Sequence, residues 1–189
     1  MTIQREVEEQ VIAEWMSLDG YFVETNIQLK GSKEVDIVAV KVKDGQIIVK
    51  HVEVGILEYK YETNLKTVQD KFGEKIRKDI KEFVARRITL SENYVWDYRC
   101  EYIFTYLAKK QVQRMTEVLA QDTIELTSFD TILLERIPLT MKKWRERAIE
   151  SGRVTQNDPQ RVMLPRKYRI LYIVDRCIET FQSISPSKG

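Results

Sequence analysis

The chain has 189 residues, of which 43% are hydrophobic and 32% charged, with a formal net charge of +2. That length suits one domain with a core that needs no disulfide or metal staple, and the composition excludes a disordered chain. Two separate cysteines, Cys100 and Cys177, and a single histidine exclude a zinc site. The acidic N-terminus lacks a signal-peptide pattern and no run of about 18 apolar residues occurs, so the expectation is a cytoplasmic protein without a membrane partner.

In chain order, Val7, Val11, Ile12, Trp15, Met16 and Leu18 recur at helical spacing, and Asp19-Gly20 supplies a stop. Tyr21 to Leu29 reads as a first extended segment, closed by Lys30-Gly31-Ser32-Lys33. Val35–Val42 and Ile47–Leu57 are dense in β-branched residues, with Asp44-Gly45 between them. Asp-Gly tolerates the positive φ that both positions of a type I′ turn require, so the pair predicts a hairpin. With Asp44 and Gly45 as the loop, Asp36 faces Glu53, Val38 faces His51 and Glu34 faces Gly55. Period-two alternation puts all six on one side.

A long helix is predicted over 64–87, from Leu65, Val68, Phe72, Ile76, Ile80, Phe83 and Val84, with an N-cap at Thr63 or Asn64. A strand over 98–107, a helix over 110–120 and a short strand over 123–126 follow, and 132–139 reads ambiguously. Helices are expected over 141–151 and 167–181. Together these elements give an α/β chain of order αβββαβαβ, a single domain over 1–189. Its core spans about 5–135, a helical basic extension 136–182 and a polar tail 183–189.

Two carboxylates opposed across a hairpin repel unless something compensates, and a divalent cation such as Mg²⁺ is a good compensator. An aspartate inside a Val/Ile-rich strand also runs against strand propensity and calls for a reason. Charge is unevenly distributed: residues 1–70 hold 13 acidic against 8 basic side chains, whereas 136–170 hold 10 basic against 3 acidic. An acidic site beside a basic phosphate-binding surface produces that asymmetry, as do two ordinary solvated faces.

On these residues the chain resembles the PD-(D/E)XK nuclease superfamily over roughly 5–126. Glu9 lies in a helix that ends at Gly20-Tyr21, Glu34-Val-Asp36 resembles the Asp-bearing strand, and His51-Val-Glu53-Val-Gly55 resembles the acidic-x-Lys strand. The resemblance implies a restriction-endonuclease-like core with a mixed central sheet flanked by helices. It also implies a Mg²⁺ (or Mn²⁺) dependent DNA endonuclease, with Asp36 and Glu53 as metal ligands and Glu9 and His51 nearby in the catalytic group. Gly55 replaces the motif lysine. Glu58-Tyr59-Lys60 matches acidic-x-Lys literally but falls on the opposite strand face unless a bulge intervenes. Some family members carry the lysine on a neighbouring element, and the following helix offers Lys66, Lys71 and Lys75, with Gln69 as a polar companion. Lys50 is on the wrong face.

Lys142, Lys143, Arg145, Arg147, Arg166 and Lys167 form a candidate nucleic-acid surface, with Trp144 and Tyr168 available to stack. The partner expected is DNA, and a homodimer is left open. The alternative is a catalytically inactive nuclease-like module that binds nucleic acid or protein. A metabolic α/β protein ranks last, since no Gly-rich phosphate loop or G-x-S-x-G elbow is present.

Overall fold

The computed structural model describes residues 2–31, 33–57, 60–87 and 94–152, together with 168, 170, 171, 173, 174, 176 and 177. Helix α1 (Thr2–Leu18) leads into strands β1 (Phe22–Leu29), β2 (Lys33–Lys43) and β3 (Gln46–Gly55). Helices α2 (Tyr61–Lys71) and α3 (Glu74–Arg87) precede β4 (Val95–Phe104), and α4 (Lys109–Gln121) precedes β5 (Ile124–Ser128). A short α5 (Phe129–Thr131) and a π-helical turn (Ile132–Arg136) run into α6 (Ile137–Glu150).

The five strands form one sheet in sequential order, antiparallel from β1 to β3 and parallel from β3 to β5. This is a mixed α/β sheet flanked by helices, as the element pattern predicts. The β2–β3 turn has positive φ at both Asp44 (50°) and Gly45 (75°). It sets Val38 opposite His51 and Ile37 opposite Val52 as expected, but the ladder ends there and does not include the expected Asp36–Glu53 and Glu34–Gly55 pairs.

Helices cover both faces. α1, α6 and the π-helical turn bury Ile12, Met16, Ile37, Val52, Ile103 and Met141 against one face. On the other, α3 packs Ile76, Ile80 and Val84 over β1–β3, and α2 and α4 pack Val68, Phe72, Met115 and Leu119 over β4 and β5. Trp15 Nε1 donates to Thr140 Oγ1 at 3.0 Å, tying α1 to α6 across 125 residues.

Two expectations need correction, and one ambiguous segment resolves. The helix predicted over 64–87 is two helices, because Gly73 lowers propensity at a point where the Arg77 side chain can take up the Phe72 carbonyl instead (Nε to O, 2.8 Å). The N-cap of α2 is Lys60, not Thr63 or Asn64; Asn64 is buried inside the helix and donates to Gln111. The segment 132–139 is helical and includes the π-turn. Most of the helix expected over 167–181 lies outside the described residues, as do Ser32, Glu58, Tyr59, Arg166, Lys167 and the tail.

Candidate functional site

Strand β3 carries the centre of the site. His51 and Glu53 are both on the face covered by α2–α4, and both are sealed from solvent at 0% and 1% exposure. Glu53 Oε1 lies 3.0 Å from His51 Nε2, and His51 Nδ1 lies 3.1 Å from the Tyr98 hydroxyl. With Glu53 ionised, Nε2–H must donate to it, which leaves Nδ1 to accept from Tyr98; the tautomer follows from the partners. The Phe72 ring, 4.6 Å from the imidazole centroid, closes the remaining side.

The second oxygen of Glu53 accepts from Lys71 Nζ at 2.6 Å. Lys71 is in the last turn of α2, one residue from Phe72, on the edge of the stripe that Asn64, Val68 and Phe72 turn toward the sheet at i, i+4 spacing. Its side chain is 36% exposed, so the chain Tyr98–His51–Glu53–Lys71 runs from a partly buried phenol through two buried groups to a solvent-facing ammonium. Of the three lysines offered by the sequence, the geometry selects this one. Lys66 and Lys75 are exposed, and Gln69 is turned away to Asp122 (2.9 Å).

Asp36 is 1% exposed. The Cα pairing of β2 with β3 is recorded as far as Ile37–Val52, and beyond it the Asp36 carboxylate itself takes up the ladder, its Oδ2 accepting from the Val54 N–H at 2.8 Å. The Asp36 carboxylate thus meets the β3 backbone one residue past Glu53. Each carboxylate has its own protein partners, the Val54 N–H for Asp36 and His51 and Lys71 for Glu53. Glu34, by contrast, is exposed.

Burial pushes the His51 imidazole below its ordinary 6.5, against the pull of Glu53, and leaves it neutral at neutral pH. Burial also pushes the Glu53 carboxyl up, but the His51 hydrogen bond and the Lys71 charge outweigh it and hold the group below its ordinary 4.5. Burial raises the Tyr98 phenol and lifts the Cys100 thiol, the cross-strand neighbour of His51, to about 11.

A Cβ on Gly55 would collide with the Tyr102 hydroxyl, which fills the space that a side chain at 55 would enter. The β3–β4 register runs unbroken from Gln46 to Gly55, so no bulge in that span reverses strand parity, and Lys60 is an exposed helix-capping residue.

From α1, Glu8 reaches this end of the sheet: it accepts from Thr105 Oγ1 at 2.9 Å, while the Thr105 N–H donates to the Gly55 carbonyl at 3.2 Å. Glu9, also buried, lines a polar groove with Gln10, Glu14 and Tyr168 between α1 and β1. The basic residues Lys142, Lys143, Arg145 and Arg147 are on α6, in the layer across the sheet from Lys71. Lys50 points into that layer too, 3.7 Å from Glu101 Oε2. There Arg136 bridges Glu101 and Glu125 at 2.6 Å each.

Asp36 and Glu53 are hard oxygen donors, each 1% exposed, with both Glu53 oxygens and Asp36 Oδ2 engaged by protein hydrogen bonds. Among the described residues no group of three or more His, Cys, Asp or Glu side chains forms a fuller cage. Comparison with protein-family models, curated proteins and solved structures finds no match to this chain. Among the described residues no helix is long and apolar enough to cross a membrane.

Proposed function

We propose that this chain is a divalent-metal-dependent phosphodiesterase acting on DNA, on a restriction-endonuclease-like core of PD-(D/E)XK type. The observation that carries the reading is the 2.6 Å contact of Lys71 with Glu53: an ammonium from α2 stands beside this carboxylate, where Gly55 supplies none. Asp36 and Glu53 would hold Mg²⁺ or Mn²⁺. When bound, that ion supplies an activated water and charge neutralisation at the phosphodiester. Lys71, the solvent-facing member of the group, offers its ammonium to the charge that develops on the phosphoryl oxygens. His51 acts from behind, fixing the Glu53 carboxylate through Nε2–H and itself fixed by Tyr98 and Phe72.

One observation favours a second reading, a binding module that does not cut: hydrogen bonds already engage both Glu53 oxygens and one Asp36 oxygen. The two readings separate in one assay. The chain is incubated with supercoiled plasmid and with single-stranded DNA in Mg²⁺ or Mn²⁺, with and without EDTA, beside Asp36→Asn. Cutting by the wild type alone, abolished by EDTA, is the result expected; equal lack of cutting by both proteins would overturn the first reading.

A further inference from the structure

Around the open end of the site, β3 and β4 finish and the chain turns into α2 and α4. The Thr105 N–H donates to the Gly55 carbonyl and the Leu57 N–H to the Tyr106 carbonyl (3.3 Å), so Tyr106 stands just beyond the end of β3. It is four residues past Tyr102, the strand partner of Glu53, or about 13 Å along the chain. Its side chain is 64% exposed, although Leu107 beside it packs into the core. Tyr61 opens α2 on the same edge and is half-buried, with the exposed Arg114 guanidinium stacked 4.0 Å from its ring centroid. Asn64 ties α2 to Gln111 of α4 and holds these elements together. Lys60, Lys109 and Lys110 are exposed around them, with the exposed Glu62 in the first turn of α2.

We infer that this edge is a stacking platform for single-stranded nucleic acid, on which Tyr106 takes the face of an unpaired base and Lys60, Lys109, Lys110 and Arg114 accompany the backbone. A base inside a duplex has both faces covered by its neighbours, so an exposed ring can stack only on an unpaired or terminal base. Cations interleaved with aromatic rings are the combination that binds single strands without sequence preference. On the basic α6 surface Trp144 is partly buried against the core, whereas Tyr106 is 64% exposed. The platform adds a substrate form to the phosphodiesterase reading and rests on that reading only where cleavage is concerned.

The test is binding in EDTA, read as fluorescence anisotropy of a labelled oligo-dT and of a duplex of the same length. The wild type should favour the single strand. Tyr106→Ala should weaken that binding about 5- to 100-fold, Tyr106→Trp should preserve it, and duplex binding should not change. Lys109→Gln with Lys110→Gln should lower the salt slope by about 1.4. Loss of single-strand binding in Lys142→Gln/Lys143→Gln instead, single-strand affinity in a folded Tyr106→Ala equal to wild type, or no single-strand preference at all would overturn the platform. If the wild type binds single strands through Tyr106 but never cuts, the phosphodiesterase reading fails alone; if it cuts but Tyr106→Ala binds unchanged, the platform fails alone.

Discussion

Gly55 and Tyr102 should behave as a coupled pair. In the wild type the Tyr102 hydroxyl occupies the space of a Cβ at 55; Gly55 is partly buried and Tyr102, on the adjacent strand, is buried. Gly55→Ala therefore overpacks the core and should cost about 2 kcal/mol, within the usual range for an inserted methyl. Tyr102→Phe removes the offending oxygen at a cost of about 1 kcal/mol for its lost hydrogen bonding. In that background the nearest ring atom to the new Cβ is Cζ at 3.4 Å, an ordinary contact. The alanine should then be nearly free, giving a coupling energy of about 1–2 kcal/mol in favour of the double variant. Urea unfolding of the four proteins measures it directly. Strict additivity would show that the hydroxyl does not fill the space of a side chain at 55.

Other outcomes follow from the same geometry. His51 is the sole histidine and its folded pKa is depressed, so the unfolded chain binds a proton there first. Stability in EDTA should hold above pH 6.5 and fall as the pH drops below it, by at most about 1.4 kcal/mol per unit, before Glu53 adds its own loss below its ordinary 4.5. Urea unfolding at pH 7.5 and 5.5 should show the drop in the wild type and not in His51→Gln. On the opposite face, Arg136→Ala strips the main partner from Glu101, whose Oε2 has no hydrogen-bond partner among the described residues. It should lower stability by about 2–3 kcal/mol, much of it recovered in Arg136→Ala/Glu101→Leu, as read by thermal unfolding. Alkylation of the native protein at pH 8 should label the exposed Cys177 and spare the buried Cys100, whose thiol titrates near 11; mass spectrometry of the digest distinguishes them.

The hairpin was legible because its signals are local: Asp44-Gly45 fixes the turn, and the turn fixes which residues oppose each other. The break at Gly73 was not, since Val68, Phe72, Ile76 and Ile80 keep helical spacing straight across it and periodicity cannot register a change of axis. The choice of Lys71 over Lys66 and Lys75 depends on how α2 lies over β3, a tertiary fact with no local marker beyond Lys71 preceding the buried Phe72. Tyr102 could be found only through the β3–β4 register, which a parallel crossover hides from the sequence. Glu8 and Glu9 are adjacent and equally buried, so helix periodicity alone did not say which one meets the sheet edge.

The central claim is that Lys71 replaces the absent motif lysine at a metal-dependent site. Single-turnover cleavage of DNA in Mn²⁺ by wild type, Lys71→Arg and Lys71→Met, with urea unfolding to verify the fold of each, addresses it most directly. Losing the ammonium should slow Lys71→Met by about a hundredfold or more, with Lys71→Arg retaining part of the rate. Cleavage by Lys71→Met at the wild-type rate would contradict the account.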